Sequence, residues 1–289
     1  EIYTLSLHDA LPIWSAHFND LGYSDEERQA VLAAADKAVQ DGILTYSNDI
    51  GCDLETSLLA VKHSEAYPWC YATVGYHPHD AQHMGEDELL MIKMLAKKEK
   101  VKAIGEIGLD FYRNHSPHDV QREVFRKQIR LANELKMPIV IHEREAGKEV
   151  MDILIDEGAF SDERKSWFPM RPDGGSGLTH DARVLIHCYS GSRETAEQYV
   201  RLGATISIAG PVTYKNSRKL VQVAREIPIE FLTIETDAPF LTPEPLRGKR
   251  NQSQFVEHVA RKIAELKEMQ YEDVARITCE NAKRFFDIE

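Results

Sequence analysis

Apolar and polar positions along this chain fall into two alternating rhythms. Short β-branched or aliphatic runs bounded by turn-forming residues recur near 11–17, 43–50, 70–77, 101–109, 138–142, 183–188, 204–209 and 231–236. Between them lie stretches whose apolar residues recur every three to four positions, near 25–40, 53–66, 85–98, 117–136, 145–156, 192–202 and 216–226, and two more, 252–268 and 271–286, close the chain. The first kind reads as parallel strands buried on both faces, the second as amphipathic helices. Val120, Val124, Leu131 and Leu135 mark one such helix, and Val256, Val259, Ile263 and Leu266 another. Strand–helix alternation repeated eight times predicts an α/β fold, a (β/α)8 TIM-type barrel forming a single domain over residues 14–289, more readily than an open sheet. Length alone, at 289 residues, would also accommodate two smaller domains.

Two stretches depart from the rhythm. The connection from about 157 to 182 is longer than an ordinary βα or αβ loop, and its Trp167, Phe168, Pro169, Pro172 and Gly174-Gly175-Ser176-Gly177 tract read as a surface excursion. Residues 1–13 do not follow strand alternation and resemble translated adapter sequence, so they read as a non-native N-terminal segment.

Five of the apolar-led segments carry a metal-binding side chain at the end expected to face the barrel's C-terminal mouth, where chemistry is found in this architecture. They are Ala16-His17, Gly105-Glu106-Ile107-Gly108-Leu109-Asp110, Ile139-Val140-Ile141-His142, Leu185-Ile186-His187-Cys188 and Ile234-Glu235-Thr236-Asp237-Ala238-Pro239. Imidazoles and carboxylates converging there suit Zn, Mn or Mg. Glu106, flanked by Gly105 and Gly108, is placed to bridge two divalent ions, though a strand-end salt bridge explains that segment alone equally well. A lone histidine at such a place is more often a hydrogen-bonded core residue, but His142 and His187 on successive strand ends shift the weight to ligands. Asp237, on the eighth strand, is placed to bind one ion and take a proton from the attacking water; the other reading is a turn aspartate before Pro239. Four further residues are candidates for substrate contact. His77 ends the third strand and offers a donor to a substrate oxygen, or else stiffens a proline turn. Arg144 can fork onto a phosphate or pair with Glu143 or Glu145. Lys249 and Arg250, in the run Arg247-Gly248-Lys249-Arg250-Asn251, open the final helix, whose N-terminus suits a phosphate; a solvated basic loop is the alternative.

Composition narrows the class. Cysteines at 52, 70, 188 and 279 lack C-x-x-C spacing, which argues against a zinc ribbon or a disulfide framework and fits a reducing, cytoplasmic setting. No apolar stretch approaches the ~20 residues that span a bilayer, so no membrane association is expected. A net charge of -12 argues against broad attraction to nucleic acid without excluding it as a substrate gripped locally. Nothing in the sequence calls for an obligate protein partner.

At these positions the chain resembles the TatD-type metal-dependent deoxyribonucleases of the amidohydrolase-like barrel group. The matching stretches include Val74-Gly75-Tyr76-His77-Pro78-His79, Gly105 to Tyr112, Ile141-His142-Glu143-Arg144, Ile186-His187-Cys188-Tyr189-Ser190-Gly191, Val212 to Asn216, Glu235-Thr236-Asp237-Ala238-Pro239, Arg247 to Asn251 and Thr278 to Ala282. The resemblance implies a barrel with two divalent ions (Mg, Mn or Zn) that hydrolyses phosphodiesters from DNA ends, with Glu106 and Asp237 as catalytic residues. It places one ion among the first-strand histidines, Glu106 and Asp237, and the other among Glu106, His142 and His187. One departure stands out: the family opens Asp-Thr-His-Ala-His, where this chain reads Ile13-Trp14-Ser15-Ala16-His17. His17 matches the second histidine and Ser15 replaces the first, so the first ion is expected to bind weakly. Two other readings stay open: a barrel hydrolase of ester or amide bonds, such as an aminoacyl-tRNA deacylase or a lactonase, and a binding protein that lost turnover through Ser15.

Overall fold

The computed structural model describes residues 11–20 and 22–289, with only the strand placement given for 11–15. Eight strands form one parallel sheet in chain order: β1 (Leu11–Ala16), β2 (Leu44–Ile50), β3 (Cys70–Val74), β4 (Val101–Asp110), β5 (Ile139–Arg144), β6 (Val184–Ile186), β7 (Thr205–Ile208) and β8 (Leu232–Ile234). The sheet curls until its two edges meet: Ala16 bridges Ala238, and the His17 N–H donates to the Ala238 carbonyl at 2.9 Å. Helices connect the strands: α1 (Asp25–Gln40), α2 (Leu54–Ala66), α3 (Glu86–Leu95), α4 (His118–Leu135), α5 (Gly147–Asp156), the short α6 (Asp162–Ser166), α7 (Arg193–Leu202) and α8 (Arg218–Glu226). Two more, α9 (Val256–Lys267) and α10 (Tyr271–Phe286), end the chain. Local chemistry sets several starts: Ser24 and Glu27 form a reciprocal capping box on α1, and Asp53 and Ser192 cap α2 and α7.

Strand alternation decides which residues face the site. Tyr46, Ile50, Ala103, Val140 and Leu185 form one buried cluster with Phe285 and Phe286 of α10. Their neighbours Leu44, Val74, Ile104, Ile139, Ile141, Val184, Ile186, Ile206 and Ile234 pack instead with the helices. With a period of two, Val140 is followed on the same face by His142, and Leu185 by His187. Phe285 closes the strands' N-terminal end, where its carbonyl accepts from Arg183 just before β6 at 3.0 Å. The imidazoles therefore lie toward the opposite end.

The structure corrects several sequence expectations. β3 stops at Val74, so His77 stands beyond the strand as the N-cap of a 3-10 turn, Pro78–His83. The basic run opens no helix: α9 starts at Val256, after a 3-10 turn at Ser253–Phe255, and α10 is the last helix. The 157–182 excursion is more than a surface loop, since it contains α6 and buries Arg164 and Arg171. Residues 11–13, read with the N-terminal segment, are strand; the rest of that segment, including His8, lies outside the described residues. Among the described residues no helix is long and apolar enough to cross a membrane.

Candidate active site

Glu106 is not at a strand end. Ile104 and Ile107 of β4 pair with Ile139 and Ile141 of β5, so β4 carries one extra residue at Gly105-Glu106, an irregularity that re-aims a side chain. Crowding explains the glycines beside it: a Cβ on Gly105 would lie 2.6 Å from the Val140 Cβ, and one on Gly108 would meet the His142 carbonyl at 2.0 Å.

From this bulge the Glu106 carboxylate reaches three imidazoles. Its Oε1 lies 2.6 Å from His142 Nδ1, 3.6 Å from His187 Nε2 and 3.8 Å from His77 Nε2. His187 Nε2 is also 3.4 Å from Asp237 Oδ1, which His17 Nε2 approaches at the same distance. All five expected ligands, His17, Glu106, His142, His187 and Asp237, thus form one continuous network. Ser15 belongs to β1, but its side chain lies outside the described residues.

His142 and His187 are each held by a carboxylate behind the ring. Asp110 Oδ2 stands 3.3 Å from His142 Nε2 and 2.7 Å from His79 Nε2, while its Oδ1 accepts the Tyr112 and Arg113 N–H groups. Glu235 Oε2 is 2.6 Å from His187 Nδ1, and its Oε1 accepts the Cys188 N–H at 2.6 Å. Such outer carboxylates fix ring orientation and raise ligand basicity.

The electrostatics follow from packing opposite charges into a buried site. Burial by itself would raise the Glu106 carboxyl, but the His187 charge and the His142 hydrogen bond bring it well below the usual range. Burial opposes protonation of His187, yet Glu106 and Glu235 raise it well above an ordinary imidazole. His142 is raised against burial by its bonds to Asp110 and Glu106. His77 goes the other way, lowered by burial and then by the His142 charge. Asp237, which burial would raise, is held at about 2 by hydrogen bonds from His17 and His187. These carboxylates stay ionised at neutral pH, and each raised imidazole holds a proton that a cation can replace.

Among the described residues, two groups bring donor atoms within 4.8 Å of one another: His77, Glu106 and His142, and His187, Cys188 and Asp237. Nitrogen and carboxylate oxygen donors of this kind suit a divalent ion. The grouping differs from the expected one in two respects. His77, expected to contact substrate, stands among the candidate ligands. Cys188 was read only as a scattered cysteine, although its place directly after His187 was a usable signal. Cys52 was missed likewise, with its Sγ 3.9 Å from His17 Nδ1. Cys188 and Asp237 both have positive φ, 43° and 56°, uncommon for such side chains and concentrated at functional turns.

The expected substrate contacts are more dispersed. Arg144 is exposed at the end of β5 and lies over the Tyr112 ring at 4.0 Å. Among the described residues it pairs with neither Glu143 nor Glu145; Glu143 accepts from the Tyr199 hydroxyl at 3.2 Å. Arg250 pairs with Glu27 at 3.1 Å, and Lys249 is exposed in the same loop.

A family model described as TatD related DNase matches residues 15–287. The chain belongs to the TatD family. It is a metal-dependent hydrolase of that family, as its relatives' names also indicate. It is 43% identical over 273 residues to the uncharacterized metal-dependent hydrolase YabD of Bacillus subtilis, covering 94% of this chain and 97% of that one. It is 33% identical over 267 residues to the 3'-5' ssDNA/RNA exonuclease TatD of a Rahnella species, covering 91% and 93%. Among solved structures, the TatD homologue YJJV of Escherichia coli superposes with a TM-score of 0.82 at 23% identity, covering 98% of this chain and all of that one. That likeness supports the TatD fold.

Proposed function

We propose that this TatD-family hydrolase cleaves phosphodiester bonds in nucleic acid, DNA foremost and from strand ends, with two divalent ions at the mouth of a closed (β/α)8 barrel formed by residues 14–289. The observation that carries the reading is Glu106 Oε1, placed between His142 at 2.6 Å and His187 at 3.6 Å while His187 also approaches Asp237 at 3.4 Å. A single carboxylate between two sets of nitrogen donors is the arrangement that a two-metal site requires. The exonuclease named in the Rahnella relative supports a nucleic-acid substrate.

On this reading His77, Glu106 and His142 would hold one ion, and His17, His187 and Asp237 the other, with Glu106 between the two sets and Cys188 beside the second. When bound, the ions supply Lewis acidity that polarises a phosphoryl oxygen and acidifies water. The chain's own residues do the rest. Asp237, ionised and in the turn three residues past β8 instead of on the strand as expected, takes the proton from the attacking water. Glu235 and Asp110 keep His187 and His142 oriented, and Lys249, with Arg144, attracts the substrate's phosphates, while Arg250 beside them is held by Glu27. The direct test is cleavage of end-labelled single- and double-stranded oligonucleotides with Mg, Mn or Zn. Release of mononucleotides from one end supports the reading; hydrolysis of aminoacyl esters alone would replace it with the ester alternative.

Two outcomes are expected from substitutions here. Lys249→Ala should weaken oligonucleotide binding and flatten its salt dependence by roughly 0.7 in the log–log slope for one lost single-strand phosphate contact; an unchanged slope would remove Lys249 from the interface. Ser15→His should tighten the weaker metal-binding step by roughly tenfold or more, since even a partner behind a ligand is worth about 10–100-fold. Titration calorimetry showing two equally tight sites in the unaltered chain would contradict that expectation.

A further inference from the structure

Three arginines at the strands' C-terminal end lie on tyrosine rings. Arg144 on β5 covers Tyr112 from the loop after β4, its guanidinium carbon 4.0 Å from the ring centre. Arg247, after β8, covers Tyr214 from the loop after β7 at 4.4 Å. Arg250 covers Tyr23, between β1 and α1, at 4.0 Å. Each pair joins two loops that leave neighbouring strands. They differ in what remains available. Arg250 is closed by Glu27 at 3.1 Å, whereas Arg144 and Arg247 are exposed and make no ion pair among the described residues. A guanidinium resting on a ring face keeps its in-plane N–H donors free, and those are the donors that fork onto phosphate.

A fourth residue belongs with them. Phe240 is 57% exposed, three residues past Asp237 on the same loop. Lone exposed aromatics are ordinary, but this one sits on a backbone fastened at both ends. Its N–H donates to the Asp237 carbonyl at 2.8 Å, and its carbonyl accepts from Asn251 Nδ2 at 2.6 Å. Asn251 Nδ2 also donates to the Thr236 carbonyl, so one buried side chain ties Phe240 to the turn that carries Asp237. The backbone that carries this exposed ring is therefore fastened to the turn of the candidate catalytic carboxylate.

We propose that Phe240 stacks an unpaired base next to the scissile phosphate, and that Arg144 and Arg247, each braced by its tyrosine, hold further phosphates of the same strand. Arg144 ends β5 and Arg247 lies in the loop between β8 and α9, so the two are anchored in different segments at this end of the sheet. The site then grips a strand of several nucleotides and discriminates against an isolated diester or a paired end. This rests on the phosphodiester reading above and adds to it which side chains select the substrate.

The test separates the two ideas by measuring binding apart from turnover. The full chain with Mg is titrated with a fluorescein-labelled, cleavage-resistant phosphorothioate oligothymidylate of eight residues and with its abasic counterpart. Phe240→Ala is expected to weaken binding of the base-bearing strand by roughly 5- to 100-fold, the range for loss of one stacked base, and to leave the abasic strand unaffected. Phe240→Trp should restore the affinity. Arg144→Ala and Arg247→Ala should each lower the salt slope by about 0.7 on both strands. Equal losses on the two strands for Phe240→Ala, or unchanged slopes for both arginine variants, would overturn the proposal. Failure of the unaltered protein, at saturating Mg or Mn, to cleave the same oligothymidylate with an ordinary phosphodiester backbone would instead count against the phosphodiester reading, whatever the binding data show.

Discussion

Asp237→Asn is expected to lower turnover by roughly 10²–10⁴-fold, the usual contribution of a positioned general base, while the unfolding midpoint changes little. Asparagine keeps an oxygen where Asp237 Oδ1 stands 3.4 Å from both His17 and His187, so much of the ligand set survives. What it loses is the capacity to accept a proton. Asp237 can do so because it remains ionised with its pKa at about 2, and because its turn lies where β8 gives way to the mouth. Single-turnover cleavage of a labelled oligonucleotide, with metal content measured alongside, checks the outcome. Turnover retained in Asp237→Asn would move the base elsewhere in the network, with Glu106 the next carboxylate in reach.

The curled parallel sheet was legible in the sequence because its strands are buried on both faces and so appear as unbroken aliphatic runs between turns. Val184–Ile186 and Leu232–Ile234 are only three residues long in the structure, yet the runs around them gave both away. The proposed ligands His142 and His187 stand out for the same reason: each breaks the apolar rule at the end of such a run. Less visible was anything that depends on a bulge or a loop's course. The extra residue at Gly105-Glu106 changes which residue of β4 points inward, and the three-residue overshoot of His77 beyond β3 brings it within 3.8 Å of Glu106. Neither leaves a periodic trace. The second carboxylates, Asp110 and Glu235, stood in the quoted motifs, but their work lies in contacts across strands that no local pattern encodes. The 157–182 excursion was the hardest to read: Gly, Pro and Ser suggested solvent, while two of its arginines are buried.

Arg164→Ala is the substitution expected to cost most stability outside the site, about 3–5 kcal/mol, the range for removing one member of a buried charged network. The guanidinium of Arg164 is fully buried, and burial pushes its pKa down to about 9, which leaves it charged at neutral pH. It has no direct carboxylate partner among the described residues. Instead it donates to the Ala182 carbonyl at 2.9 Å, the Met137 carbonyl at 2.8 Å, the Asn133 side chain at 2.7 Å and, more weakly, the Arg183 carbonyl at 3.4 Å. Three of these acceptors are backbone groups immediately before β5 and β6, so α6 is tied to the N-terminal ends of both strands. Truncation to alanine removes the Arg164 donor from the Ala182 and Met137 carbonyls, while the Arg183 carbonyl keeps the Ile139 N–H at 2.9 Å, and opens a cavity the size of the side chain. Lysine keeps the charge but lacks the planar fork that meets several acceptors at once, so Arg164→Lys should recover only part of the loss. Because the tie lies at the end of the sheet opposite Asp237 and Glu106, turnover per folded molecule should be unchanged. Chemical denaturation of the three proteins, with activity measured at a temperature where all are folded, decides the matter. A loss below about 1 kcal/mol for Arg164→Ala would mean that water or a rearranged excursion satisfies the same carbonyls, and that α6 is not what holds the β5 and β6 entries together.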